Sequence, residues 1–117
     1  MPTSRSARKN RIASFRRNAL LFAALGDETR LSLLMKLCQE SPLSISRLTA
    51  GSTLTRQAIT KHLKVLQAAG LVRDIRQGRE RLFEADREPL DDASRALANI
   101  SSQWDTALAR FKTHVER

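Results

Sequence analysis

The sequence predicts a mainly helical single domain with one small β-hairpin, in which a helix-turn-helix runs directly into the hairpin. Three observations predict it. Apolar residues recur at spacings of three and four through most of the chain, glycine and proline fall between those stretches, and the residues after Gly70 break into two short runs around Gln77-Gly78. With 117 residues there is room for one domain and a modest core, so self-association would add useful burial.

Residues 1–11, MPTSRSARKNR, have almost nothing to bury and are expected to form a disordered basic arm, leaving 12–117 as the folded domain. Ile12, Phe15, Ala19, Leu20, Phe22, Ala23 and Leu25 predict a first helix, ended by Gly26. Asp27 is placed to cap a second helix, with Glu28 in its positive first turn. Its buried stripe reads as Leu31, Leu34, Leu37 and Cys38, with Leu33 beside it, and Ser41-Pro42 stops it. Ser44 can cap a short third helix over 45–50, with Ile45 and Leu48 inward, and Gly51-Ser52 breaks it. Thr55 then caps a fourth helix over 56–69. There Ala58, Ile59, Leu63, Leu66 and Ala69 face the core, and Gly70 is the stop.

Two strands follow within 71–85, at about 71–76 and 80–85, anchored by Leu71, Val72, Ile75, Leu82 and Phe83. The last helix covers about 89–115. Its Leu90, Ala93, Leu97, Ile100, Trp104, Leu108, Phe111 and Val115 recur with a near-heptad period. On a chain this small such a stripe is core or interface. Packing against residues 12–25 and pairing with a second copy can use different residues of it. A dimer is expected, because paired readers one helical turn of DNA apart gain specificity.

The net charge of +9 is unevenly placed. Residues 1–81 hold 16 basic and 5 acidic side chains, whereas 82–117 hold 5 and 7, which points to a polyanion partner for one face. The first 26 residues contain no acidic side chain. An organellar presequence has that composition too, but a basic arm on a DNA binder explains it equally well. Cys38 is the one cysteine, which excludes an intramolecular disulfide and fits a reducing compartment. No apolar run approaches the roughly 18 residues of a spanning helix, and 1–11 lack the apolar stretch of a secretory signal. A cytoplasmic protein without a membrane partner is expected.

Two helices joined by a tight glycine-containing turn, 45–50 and 56–69, make a helix-turn-helix. In such motifs the N-terminal residues of the second helix reach base edges in the major groove. Here the outward residues are Arg56, Gln57, Thr60 and Lys61. Arginine can fork onto guanine, glutamine onto adenine, and threonine can offer a methyl to thymine. Lys61, His62 and Lys64 also suit phosphates. A solvated polar face would look similar, and the hairpin tips the balance. Arg73, Arg76, Arg79 and Arg81 surround its turn, more charge than an edge strand needs against aggregation. Arg73 is read as a backbone contact, and Arg76, Arg79 and Arg81 as minor-groove residues. Glu80 and Glu84 are close enough in sequence to draw some of them into surface ion pairs.

The segments ALGDETRLSLLMKL, SISRLTAGSTLTRQAITKHLKVLQAAGLV and RQGRERLFE resemble the winged helix-turn-helix of the ArsR-type bacterial transcriptional regulators. The similarity covers about residues 15–85, with a helix after it in the expected place. The resemblance implies a homodimeric repressor on a pseudo-palindromic operator, with the recognition helix at 56–69 and the wing tip at 76–81. It also implies an interface between first and last helices, to which Phe15, Leu20, Phe22, Leu97, Ile100, Trp104, Leu108 and Phe111 are assigned.

Many members of that family sense metals through paired cysteines in the third helix. The corresponding segment here, SISRLT, has no Cys, His or acidic ligand. The last helix offers Asp105, His114 and Glu116 without a paired His pattern, and Cys38, His62 and His114 are scattered. Zinc needs about four converging ligands, so no metal and no cofactor are expected, and any effector is of unknown kind. Cys38 reads as a buried structural thiol. No Gly-rich phosphate loop, G-x-S-x-G or H-E-x-x-H is present, so an enzyme is not expected. The alternatives to a sequence-specific regulator are a nonspecific architectural DNA binder and a dimeric interaction module of the same fold.

Overall fold

The computed structural model describes residues 4–116. The elements run α1 (Ser4–Leu25), α2 (Glu28–Gln39), β1 (Leu43–Ser44), α3 (Ile45–Thr49), α4 (Arg56–Ala68), β2 (Val72–Gln77), β3 (Glu80–Ala85) and α5 (Arg87–Val115). It is a mainly helical fold with a small antiparallel sheet in the order β1-β3-β2.

Helix starts follow the capping residues. The Asp27 carboxylate accepts the Arg30 N–H at 2.9 Å, the Ser44 hydroxyl that of Arg47 at 3.2 Å, and the Thr55 hydroxyl that of Ala58 at 3.1 Å. Asp86 does the same for Glu88 at the start of α5. Each side chain satisfies a backbone donor that has no partner within its helix. At the other end of α4 the chain reverses through Gly70, with φ +77. The Leu71 N–H reaches the Leu66 carbonyl and the Gly70 N–H reaches that of Gln67, each at 2.9 Å. This is a Schellman closure, and its usual apolar contact is supplied by Leu66 and Leu71, both fully buried.

The core lies where α2, α3 and α4 meet the sheet. Leu37, Ile59, Leu63, Leu66, Leu71 and Phe83 are its most deeply buried side chains. Leu21 and Ala24 of α1 and Ala93 of α5 close it from the other side.

Four expectations need correction. The disordered arm to Arg11 is replaced by helix, since α1 begins at Ser4; residues 1–3 of that arm lie outside the described residues. Alanine, arginine and lysine propagate a helix well once the segment beyond Ile12 is fixed. The hairpin gains a third strand: Leu43 and Ser44 pair with Phe83 and Leu82. Two residues carry too little periodicity to announce a strand. The turn is Gly78-Arg79, because Gln77 still pairs with Glu80. Gly78 has φ +64, the glycine-first geometry of a two-residue hairpin turn.

The fourth correction concerns α2. It buries Leu33, Leu34 and Leu37, while Leu31 and Cys38 are exposed. The buried face is rotated because Arg30 occupies part of it. Its Nε donates to the Ala24 carbonyl at 2.8 Å and its Nη2 to that of Ala23, satisfying the last carbonyls of α1. An arginine on the inward face hides the true stripe from an apolar count.

Two measurements test this account. Leu66→Ala should lower stability by about 2–5 kcal/mol in urea unfolding, since it empties the centre of the core. The Asp27 carboxyl is held below its ordinary value, chiefly by the Arg30 N–H, with smaller help from the Arg30 and His62 charges against an opposing effect of burial. A depressed carboxylate contributes stability above its unfolded value, about pH 4, and that stability is lost as pH falls through the folded value. Asn also caps a helix but does not titrate. Stability of Asp27→Asn should therefore fall less steeply than wild type below about pH 4; superimposable acid profiles would contradict this.

Candidate nucleic-acid interface

α3 and α4 are joined by a turn through Gly51, which the Ser52 N–H closes onto the Thr49 carbonyl at 2.9 Å. The Lys36 ammonium ties α2 to α3 by donating to the Arg47 carbonyl at 3.3 Å. The sites read from the sequence as DNA contacts then fall into distinct groups on α4.

Gln57, Lys61 and Lys64 are exposed at i, i+4 and i+7, so they form one outward ridge opposite the buried Ile59, Leu63 and Leu66. Arg56 is exposed at the first helical position. That end also carries the positive pole of the helix, with no acidic residue in its first turn to offset it. Thr60 is half-buried on the flank. Its hydroxyl donates to the Arg56 carbonyl at 2.7 Å, leaving the methyl and the acceptor capacity of the hydroxyl oxygen for recognition. His62 is also half-buried, on the flank of α4 away from the ridge of Gln57, Lys61 and Lys64.

The four wing arginines also divide. Arg73 Nη2 lies 2.8 Å from Glu84 Oε1, and its Nε lies 3.9 Å from Asp86. Arg81 Nε donates to Asp74 Oδ2 at 2.7 Å. Among the described residues, Arg76 and Arg79 have no ion-pair partner. The ion pairing suspected in the sequence is present at Glu84 and involves Asp74 and Asp86 in place of Glu80. Asp74 was missed as a partner. The observed turn sets Glu84 opposite Arg73, where a turn at Gln77-Gly78 would have set Leu82; Asp74 faces Phe83 and reaches Arg81 on the diagonal.

The residues assigned to a dimer interface are not gathered into the core. Phe15, Leu20, Leu97, Ile100, Trp104, Leu108 and Phe111 all remain about half exposed or more, with Phe15 at 75% and Trp104 at 64%. Phe22 differs: it is half-buried and packs against the core of its own chain. Between α1 and α5 runs a groove of about 670 Å³, with Phe15, Phe22 and Ile100 among its walls. Beyond Ala93 no residue of α5 is buried. Among the described residues no three His, Cys, Asp or Glu side chains are grouped to hold a metal ion. No helix described is long and apolar enough to cross a membrane.

The segment 27–74, which holds α2, the helix-turn-helix and the start of the wing, matches the model of the bacterial regulatory protein family ArsR. The chain is 42% identical over 76 residues to the uncharacterised HTH-type transcriptional regulator YuzN of Bacillus subtilis, covering 60% of this chain and 83% of that one. The chain belongs to the ArsR family. A second relative is the HTH-type transcriptional regulator Rv2034 of Mycobacterium tuberculosis, 32% identical with 86% of this chain and 90% of that one covered. An ArsR-like transcriptional regulator from Rhodococcus sp. RHA1 has the same winged helix-turn-helix fold, at TM-score 0.77 and 40% identity over 86% of this chain and 94% of that one. This ArsR-family chain is a DNA-binding transcription regulator, and its relatives are regulators rather than enzymes.

Proposed function

We propose that the protein is a homodimeric, sequence-specific repressor acting on a pseudo-palindromic operator in the bacterial cytoplasm. The observation that carries this reading is the exposed ridge of Gln57, Lys61 and Lys64 beside a wing whose Arg76 and Arg79 lack carboxylate partners among the described residues. Arg56, Gln57, Lys61 and the Thr60 methyl read bases, Gln57 being suited to adenine and Arg56 to guanine. Lys64, His62 and the basic N-terminal half of α1 hold backbone, and the wing tip enters the minor groove. Such contacts release counterions, so affinity falls steeply with salt.

Pairing of two copies is supported by the stripe on α5. A monomer leaves Leu97, Ile100, Trp104, Leu108 and Phe111 in water along one heptad-like seam. Burying such side chains contributes about 1.5–3 kcal/mol each. A second copy covers the stripe on both partners at once by symmetry, and it doubles the number of bases read. No effector is assigned to the repressor.

Selection of bound sequences from random duplex DNA tests the reading. Enrichment of an inverted repeat is expected; uniform recovery would favour an architectural binder, and no recovery an interaction module. Gln57→Ala should relax preference at one base position by about 1–3 kcal/mol. Arg79→Ala should instead weaken binding evenly across sequences. If the footprint of Gln57→Ala kept wild-type preference at every base pair, the assignment of α4 would be wrong. Trp104→Glu should shift the protein from dimer to monomer in sedimentation and weaken operator binding with it.

A further inference from the structure

The wing carries four arginines, but their surroundings are unequal. Strand alternation puts Asp74, Arg76, Arg81 and Phe83 on one face of the β2–β3 pair, with Arg76 directly opposite Arg81 and Asp74 directly opposite Phe83. Two like charges facing each other across a ladder are destabilising. Asp74 relieves the clash. It takes the Arg81 Nε at 2.7 Å on the diagonal, drawing that guanidinium back along the wing and away from Arg76. There the guanidinium carbon sits 5.3 Å from the centroid of the Phe83 ring. Phe83 is 1% exposed and belongs to the core, so Arg81 is held by a carboxylate on one side and a fixed ring on the other. Arg73 is occupied by Glu84 in a similar way on the opposite face. The wing thus presents two arginines with no carboxylate partner among the described residues, Arg76 and Arg79, and two that are paired in place.

We infer that Asp74 sets the electrostatic grip of the wing: by holding Arg81 against Phe83 it withdraws one cation per protomer from the phosphate backbone, and so limits the sequence-independent part of duplex affinity. The inference rests on the proposed reading of the wing as a duplex contact. A cation that binds any phosphate strengthens operator and nonspecific complexes by the same factor, so it raises affinity and salt dependence on both and leaves their ratio unchanged. Holding one arginine back therefore keeps the protein easier to release from every duplex. Asp74 achieves this without removing Arg81, whose stem and guanidinium still cover the Phe83 ring.

The test compares the dependence of binding on salt for an operator duplex and for a scrambled duplex of the same length and composition. In Asp74→Asn the freed Arg81 is expected to reach phosphate. The slope of log K against log salt should then steepen by about 0.9 per protomer on both duplexes, and affinity for both should rise at low salt while their ratio keeps its wild-type value. The double variant Asp74→Asn with Arg81→Gln should return to the wild-type slope and affinity, because it removes a pair that contributes no contact. Arg79→Gln, by contrast, should flatten the slope by about 0.9 per protomer. The inference is overturned if Asp74→Asn leaves the slope unchanged, or if the double variant flattens it as Arg79→Gln does. The second result would mean that Arg81 already contacts DNA. Should Asp74→Asn fail to fold, the double variant measured against Arg79→Gln still decides. Wild-type protein that binds operator while the variants behave in these contrary ways sinks only the role of Asp74; wild-type protein that binds neither duplex sinks the wing reading with it.

Discussion

α4 and the wing are joined through a single left-handed residue, and the placement of everything on that face depends on it. Gly70 turns the chain so that Leu71, the next residue, drops beside Leu66 at full burial, and β2 starts immediately afterwards. A side chain at Gly70 would meet the strained backbone region that L residues avoid. There is no slack between the closure and the sheet. The Asp86 N–H, at the far end of the hairpin, also returns to the Leu71 carbonyl at 2.9 Å, so both ends of the hairpin are tied to one residue of the closure. The angle between α4 and the wing is thereby set by backbone hydrogen bonds and one apolar contact, independently of the charged residues that the two elements display.

Most of the fold was legible because its punctuation is local. Asp27, Ser44 and Thr55 each precede a helix and each caps it. Gly70 and the glycine of the hairpin fall where the chain needs positive φ. What escaped is governed by contacts distant in sequence. β1 exists only because Leu43 and Ser44 meet β3 some forty residues later, and nothing in two residues encodes that meeting. The buried face of α2 was misplaced because Arg30 is turned inward to satisfy the end of α1, a tertiary reason that overrides a count of apolar spacings. The N-terminal extent of α1 was underestimated since composition predicts whether a segment has something to bury, and a segment can be helical by continuation alone.

The candidate site was legible to a different depth on its two parts. On α4 the periodicity of the buried residues fixes which side chains face out, so Gln57, Lys61 and Lys64 follow directly from Ile59, Leu63 and Leu66. On the wing, four arginines look alike in sequence. Their roles separate only once the register is known, because the register decides which carboxylate each arginine meets. Asp74 and Glu84 are neutralising partners for that geometric reason.

The wing also has a foundation and a tip that can vary independently. Phe83 is locked into the core and Leu43 and Ser44 pair beside it, so a residue inserted within β3 must either bulge out or turn the strand over and expel the ring. The two turn residues, Gly78 and Arg79, are exposed and pack against nothing in the core, although the positive φ of Gly78 keeps the present two-residue turn a glycine's. Lengthening the chain there alters how far the hairpin reaches while leaving its base undisturbed. Divergence among proteins built this way can therefore change how far the wing projects by editing the loop, without retuning the hydrophobic interior that holds the hairpin upright.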